Sequence, residues 1–140
     1  VYTMIQKFLP IEMQLTYQVD GEPLEQLPNG YSDHYVLDGF ERDYEQGYDD
    51  AQAFLHVYTD IMTNDFYTVS CAIVQNQNQK ELFDNEHTKY RKVKMGDVEA
   101  LLGEDKNTGY YLIWEDEGIT HTIIGRISIK ELMLVAQKIY

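Results

Sequence analysis

The sequence predicts an α+β fold, in which an antiparallel β-sheet of about six to eight strands is packed by an N-terminal and a C-terminal helix. Two observations lead to this prediction. Segments with strand-like patterns follow one another through the middle of the chain, whereas helical spacing of apolar residues occurs near its two ends. Because no helical pattern separates the strand-like segments, we expect neighbouring strands to pair antiparallel.

Length and composition limit the classes of protein. The chain has 140 residues, the length of one ordinary domain, and we expect residues 1–140 to form a single domain. A hydrophobic fraction of 44% is too high for an intrinsically disordered chain. A formal net charge of −13, from 24 acidic and 11 basic residues, argues against binding to nucleic acid or to a bare anionic membrane. The single cysteine excludes an intrachain disulfide.

The first elements are predicted from short patterns. Residues 1–9, VYTMIQKFL, carry apolar side chains at helical spacing ahead of a proline, which predicts a short helix. The segment QLTYQV alternates Leu15, Tyr17 and Val19 with polar residues, as a half-buried strand does. Turn-forming residues dominate from 27 to 50, so a short strand is assigned there only to residues 35–37, with loops on both sides.

Strand patterns are stronger after residue 52. AFLHVYTD and FYTVSCAIVQ are rich in β-forming residues and are joined by IMTND, which suits a hairpin connection. NQNQKELFDNEH is predicted to be a polar loop. TKYRKVK and VEALL follow as two strands around a turn at Gly96 and Asp97, and GYYLIWE and ITHTIIG form the last hairpin.

Three consecutive acids, Glu115, Asp116 and Glu117, occupy the tip of the last hairpin, in LIWEDEGITHTI. They could form a catalytic or metal site, or the solvated end of a turn. Adjacent strand side chains point to opposite faces, and the ligand spacing of a calcium loop is absent. Gly118 suits a left-handed turn position, so the pattern favours a turn.

The C-terminal segment SIKELMLVAQKIY predicts an amphipathic helix. Ser128 and Glu131 have the spacing of a capping box. The predicted apolar stripe of this helix consists of Ile129, Leu132, Met133, Ala136 and Ile139. We expect Leu132 and Trp114 to be core residues that join the helix to the last hairpin.

No constellation of catalytic or metal-binding residues is evident. Cys71 alternates with Val69 and Ile73 on one strand face, which predicts a buried and inert thiol. The histidines lack the spacing of zinc ligands or of a nucleophile–base pair; they are His34, His56, His87 and His121. We therefore expect no enzyme activity, no metal and no cofactor, and His56 and His121 should be polar-face or satisfied interior residues.

Four tyrosines lie in the acid-rich region from 31 to 48: Tyr31, Tyr35, Tyr44 and Tyr48. Two interpretations are open. Tyrosine offers a rigid apolar face with one polar group, so these residues could form a surface for a partner or ligand. Equally, they could cap the sheet.

An ordered series of segments resembles the domain of unknown function 4367 family, found mostly in Firmicutes. These segments are LPNGY, VYTD, AIVQNQNQ followed by DNEH, VKMGDVEALL, LIWEDEGITHTI and ISIKELMLVAQKI. The resemblance runs from about residue 27 to residue 139 and is most specific at the Trp-Glu-Asp hairpin and the last helix. It implies that Trp114 supports the sheet and that the acids beside it are solvated.

The resemblance also implies a role. Many relatives resemble anti-sigma-factor-like, membrane-tethered proteins with this domain outside the membrane, and the family has no assigned catalytic residues. We therefore expect an extracytoplasmic, monomeric module of a single-pass protein, with its span upstream of Val1, that binds an unknown protein or small ligand. The alternative is a soluble or lipoprotein carrier that binds a small apolar or glycan ligand in a pocket lined by Tyr and Met side chains.

Overall fold

The computed structural model describes residues 2–9, 12–76, 78–84 and 86–140. These residues contain ten strands and one helix. In chain order the elements are β1 (Tyr2–Phe8), β2 (Glu12–Val19), β3 (Phe40–Asp49), β4 (Ala53–Asp60), β5 (Phe66–Ile73), β6 (Asn78–Asp84), β7 (Thr88–Met95), β8 (Val98–Asp105), β9 (Gly109–Asp116), β10 (Ile119–Gly125) and α1 (Ile129–Gln137).

The strands form two antiparallel sheets. The small sheet has three strands in the order β1-β2-β6, and the large sheet has seven in the order β3-β4-β5-β10-β9-β8-β7. Both faces of the large sheet are covered. The main core lies between this sheet and α1, and a second core lies between the two sheets. In β9, for example, Leu112 and Trp114 enter the main core while Ile113 enters the second.

The predicted antiparallel α+β class is confirmed in outline, but the N-terminal helix is wrong. Residues 2–8 form strand β1, which pairs with β2 along its whole length, whereas Val1 lies outside the described residues. The spacing of the apolar residues in this segment fits either a helix or a strand. Pairing decides between them, because β2 follows closely and offers an edge whose backbone groups need partners. Met4 then faces the second core, and Ile5 faces solvent.

The segment expected to be a polar loop contains strand β6, which is the second correction. β6 pairs antiparallel with the other edge of β2. Its side chains alternate, so Phe83 packs against the second core while Leu82 is exposed. Glu81 also points inward and accepts a hydrogen bond from Tyr17 Oη at 3.5 Å. The inner face of β6 thus carries Gln79 and Glu81 beside Phe83, so the strand does not show the usual hydrophobic alternation.

The strand predicted at residues 35–37 is also wrong, since this stretch has no regular structure. Leu37 is nevertheless buried, and its backbone N–H donates to Tyr67 Oη at 3.2 Å. A side chain on β5 therefore satisfies the backbone in place of a strand partner. The neighbouring strand is β3, in the region assigned to a loop, and its register with β4 shifts between Arg42 and Gly47.

The C-terminal helix begins as predicted. Ser128 is its N-cap, with Ser128 Oγ accepting from the Glu131 N–H at 3.1 Å and a Glu131 carboxylate oxygen accepting from the Ser128 N–H at 2.9 Å. Leu132, Val135 and Ala136 are its buried residues. The face of the helix that packs on the main core thus includes Val135 in addition to the predicted stripe.

Replacing Leu132 by Ala should destabilise the protein strongly. Leu132 is fully buried in the main core, and truncations of this kind cost about 2–5 kcal/mol. Leu134→Ala is the matched control, because Leu134 is 37% exposed on the same helix. Denaturant unfolding measures both free energies. Equal losses in the two variants would contradict the docking of α1 described above.

Candidate functional site

A partly open cleft of about 550 Å³ lies between one end of the large sheet and α1. Seven of its twelve lining residues are apolar or aromatic: Tyr31, Met95, Val98, Trp114, Met133, Ala136 and Ile139. Gly96, His121 and three polar residues, Lys94, Asp116 and Gln137, complete the wall. The β7–β8 turn, β9, β10 and the helix therefore all contribute to one concave surface.

The floor of the cleft is built from paired strand positions. His121 in β10 is opposite Trp114 in β9, and their rings stack with centroids 4.5 Å apart and an angle of 2° between planes. On its other side Trp114 is opposite Ala100 in β8. Ala100 is fully buried in the main core, so Trp114 is packed between β10 and β8 and only its outer part borders the cleft.

Tyr31 closes one side of the cleft. Its hydroxyl forms a hydrogen bond with His121 Nε2 at 2.5 Å, and its ring is tilted against the imidazole. Burial raises the pKa of Tyr31, and the nearby Cys71, Asp116 and Glu117 add to this effect. The Tyr31 hydroxyl therefore keeps its proton at neutral pH and faces a region of negative potential.

His121 is buried and neutral. Burial lowers the pKa of His121 to about 4, and this outweighs the smaller raising effect of the Trp114 and Ile119 backbone groups. Its second nitrogen, Nδ1, is buried and has no hydrogen-bond partner within the described ranges. Buried polar atoms are nearly always paired, so the state of Nδ1 is unusual, and its burial keeps this nitrogen out of contact with the open part of the cleft.

The structure brings Cys71 next to His121, which the spacing of the sequence did not indicate. The two residues are opposite each other in β5 and β10. Burial raises the pKa of the Cys71 thiol, while that of His121 is lowered, so both groups are neutral. A thiolate–imidazolium pair, which a cysteine nucleophile requires, is therefore disfavoured, and the expected buried thiol agrees with this geometry.

A second histidine fixes the segment that carries Tyr31. His56 is 2% exposed, and it donates from Nδ1 to the Asp33 carboxylate at 2.6 Å and from Nε2 to Asp49 at 2.7 Å. Tyr58 donates to the other Asp33 oxygen at 2.5 Å. Asp49 in turn accepts from Arg42 at 2.9 Å. We call Asp33, His56, Asp49, Tyr58 and Arg42 the aspartate–histidine cluster.

The charges in this cluster are set by its hydrogen bonds. Burial favours neutral side chains, but the bonds to Asp33 and Asp49 outweigh it and raise the pKa of His56. For Asp33, burial is likewise outweighed by the bonds from His56 and Tyr58, which lower the pKa of Asp33. His56 therefore stabilises the fold below its ordinary pKa and loses this effect as pH rises, whereas Asp33 loses its contribution as pH falls.

The segment held by Asp33 pairs with the end of the chain. The Ser32 and Tyr140 backbones exchange two hydrogen bonds, and the His34 N–H donates to the Lys138 carbonyl. Asp33 and Ile139 form the corresponding β-bridge. Tyr31 and Ile139, which both line the cleft, are thus positioned by the same short backbone pairing.

The four tyrosines are not brought together. Tyr31 lines the cleft, and Tyr35 packs half-buried against the main core. Tyr44 and Tyr48 are exposed on β3, where the Arg42 guanidinium lies 4.4 Å from the Tyr44 ring centroid. The structure therefore shows no common surface of the four tyrosines. Tyr31 is the one among them that lines the cleft.

The three acids lie at a hairpin tip, as the turn interpretation predicts. Glu117 and Gly118 have φ values of 50° and 85°, which suit a two-residue turn between β9 and β10. Glu115 accepts from the Gly118 N–H at 3.0 Å. Asp116 belongs to the strand face of Trp114 and lines the cleft.

The described residues contain one group of potential metal ligands, and this group lies outside the cleft. Asp84, Glu86 and His87 place one ligand atom each within 4.8 Å, and all three are exposed. The Asp84 carboxylate already accepts from the Glu86 and His87 backbone N–H groups. This arrangement is explained by the turn between β6 and β7.

The fold and its cleft define a class of protein: a two-sheet antiparallel β domain with a C-terminal helix that forms one wall of a half-open cleft. A family model described as a domain of unknown function (DUF4367) matches residues 30–139, and the chain belongs to this family. The expected family is thereby confirmed. No curated protein and no solved structure matches the chain. No helix in the described ranges is long and apolar enough to span a membrane.

Asp33→Asn should destabilise the protein by about 3–5 kcal/mol, because it removes the buried partner of the His56 charge and leaves only the exposed Asp49 carboxylate. Asp49→Asn, with a side chain that is 61% exposed, should cost clearly less. Urea unfolding at neutral pH measures both. Equal costs would show that the Asp33–His56 contact does not hold the segment as described.

His121→Phe should flatten the pH dependence of stability between pH 6.5 and 4, the ordinary and the lowered pKa of this histidine. As pH falls through this window, the unfolded chain takes up the His121 proton first, which costs the native protein about 3 kcal/mol. Phenylalanine keeps a ring against Trp114 but cannot titrate. His87→Gln, at an exposed histidine, should follow the parent protein. Parallel curves for all three proteins would refute the neutral state of His121.

Proposed function

We propose that this domain is a non-enzymatic sensing domain that binds a small ligand in the cleft between the large sheet and α1. The observation that carries the proposal is the cleft, whose volume of about 550 Å³ falls in the range of small-molecule sites. Its wall combines the aromatic rings of Tyr31 and Trp114 with the thioethers of Met95 and Met133. Such a wall binds apolar groups and adapts to their shape.

The state of the titratable groups supports binding in preference to catalysis. The Cys71 thiol is buried and its pKa is raised, so it is a poor nucleophile at neutral pH. Both nitrogens of His56 are engaged with carboxylates. His121 is neutral, but burial makes it too weak a base for general catalysis near neutral pH.

The membrane-tethered, extracytoplasmic location is a further part of the proposal and is supported by the family resemblance. In such an arrangement, ligand binding outside shifts a two-state equilibrium that is sensed inside. The net charge of −13 suits a domain that stays detached from anionic lipid headgroups. The open reading frame upstream of Val1 is the direct test of a membrane span.

A soluble or lipoprotein carrier for a small apolar or glycan ligand is the second candidate, and the same cleft favours it. Carriers enclose their ligands, since enclosure slows release. This cleft is open on one side. Residues 32–34, which follow Tyr31 of its wall, pair with the last residues of the chain. A ligand seated there would contact the C-terminal segment, which suits sensing better than transport.

A library of small amines, alcohols, acids and sugars should contain ligands that raise the thermal unfolding temperature of residues 1–140. At ten times its Kd, a ligand adds about 1.4 kcal/mol to the free energy of unfolding. Met133→Ala removes part of the cleft wall and should weaken binding at least about fivefold, a typical effect for losing a buried contact. Leu134→Ala, an exposed position of the same helix, should bind like the parent protein. A library without any ligand, or hits equally affected by both variants, would overturn the proposal.

A further inference from the structure

We infer that the cleft binds a small organic cation, an ammonium group joined to an apolar body. This inference rests on the proposed function and names the chemical class of the ligand. The observations behind it are an aromatic wall, a carboxylate at the cleft without an ion-pair partner among the described residues, a neighbouring acidic cleft and a buried neutral histidine.

The aromatic wall suits a cation. Tryptophan binds cations over its ring face more strongly than the other aromatic residues, and tyrosine follows. Trp114 and Tyr31 both line the cleft, with one face of the indole stacked on His121. Trp114 is 5% exposed, so the part of the indole that a ligand meets is the part that borders the cleft. An ammonium group seated in the cleft would lie beside this part of the ring and beside Tyr31.

The charges of the wall favour the same ligand. Asp116 lies on the Trp114 face of β9, and no lysine or arginine in the described ranges forms an ion pair with it. Lys94 also lines the cleft, and it is exposed and opposite Glu99 in the β7–β8 register. Asp116 is thus a carboxylate at the cleft without an ion-pair partner among the described residues.

A second cleft of about 530 Å³ adjoins the first and shares Val98 and Asp116 with it. Five acidic residues line it, and none of its described lining residues is basic: Asp97, Glu99, Glu115, Asp116 and Glu117. One of them, Glu99, is paired with Lys92 at 3.7 Å. Acids concentrated around concave surfaces raise the local concentration of cations, and the net charge of −13 adds to this attraction.

His121 makes the wall compatible with a cation. A charged imidazole beside Trp114 would repel an ammonium group, but burial lowers the pKa of His121 to about 4. Anionic ligands meet the opposite conditions, since Asp116 and Glu117 repel them.

The experiment compares ammonium compounds with neutral molecules of the same shape. Choline is paired with dimethylbutanol, its carbon isostere, and phenethylamine with phenethyl alcohol. Trp114 is the single tryptophan of the chain, so its fluorescence reports on the cleft directly. We expect at least one ammonium compound to bind about tenfold more tightly than its neutral isostere, the difference typical of a desolvated cation over an aromatic ring.

Two variants separate the local carboxylate from the overall charge. Asp116→Asn should reduce ammonium binding at least about fivefold and leave binding of the neutral isosteres unchanged, as expected for one lost charge at a half-enclosed site. Asp38→Asn removes the same charge from an exposed turn away from the cleft. It should bind like the parent protein. An equal loss in both variants would assign the effect to net charge and overturn the inference.

The remaining outcomes distinguish this inference from the proposed function. If the neutral isosteres bind as tightly as the amines, the cleft is a site for apolar ligands, and only the cation inference fails. If phenylpropionate, the anionic counterpart, binds most tightly, the inference also fails. Trilysine bound more tightly than both amines would assign the cleft to a basic peptide and overturn the small-ligand inference. If no compound of the wider library changes Trp114 fluorescence or thermal stability, the proposed function fails as well.

Discussion

The buried hydrogen bond between Asp33 and His56 is the constraint on which the site depends. Both side chains are almost fully buried, and each satisfies a charge that would otherwise be costly in the interior. Asp33 stands in a segment without regular structure, so its side chain attaches that segment to β4. Residues 32–34 can then pair with 138–140, and Tyr31 reaches His121. Without this contact, neither the wall of the cleft nor the end of the chain would be fixed.

Two buried histidines adopt opposite charge states in one sheet because their partners differ. His56 lies between two carboxylates, whose hydrogen bonds outweigh the burial cost and raise its pKa. His121 lies between Trp114 and Tyr31, which supply no negative charge, so burial lowers its pKa. Their contributions to stability change in opposite directions with pH. The charged histidine fixes the architecture, while the neutral one leaves a wall that we propose is suited to a cation.

The two faces of the large sheet differ in how completely they are covered. The face toward the small sheet is closed by Met13, Leu15 and Tyr17 of β2, which are buried to 1% exposure or less. The face toward α1 is filled along most of its length but opens at the cleft. The family match begins at residue 30, after β1 and β2. The matched region therefore contains the complete wall of the cleft, whereas two of the three strands of the small sheet precede it.

The sequence by itself determined the elements whose interactions are local. The capping box at Ser128, the left-handed turn at Glu117 and Gly118, and the alternation around Cys71 each depend on residues within a few positions of one another. Tertiary structure decided the rest. β1 and β6 are strands because both edges of β2 accept partners, and periodicity in either segment alone does not reveal this.

The candidate site was decided at long range as well. Tyr31 and His121 are 90 positions apart, and Asp33 and His56 are 23 apart. Sequence patterns could identify Tyr31 as a candidate and Trp114 as a structural residue, but they could not show that both belong to one cleft. The physical reason is that strand order and register, which place distant side chains on one face, are fixed by packing and backbone pairing between segments that carry no local record of each other.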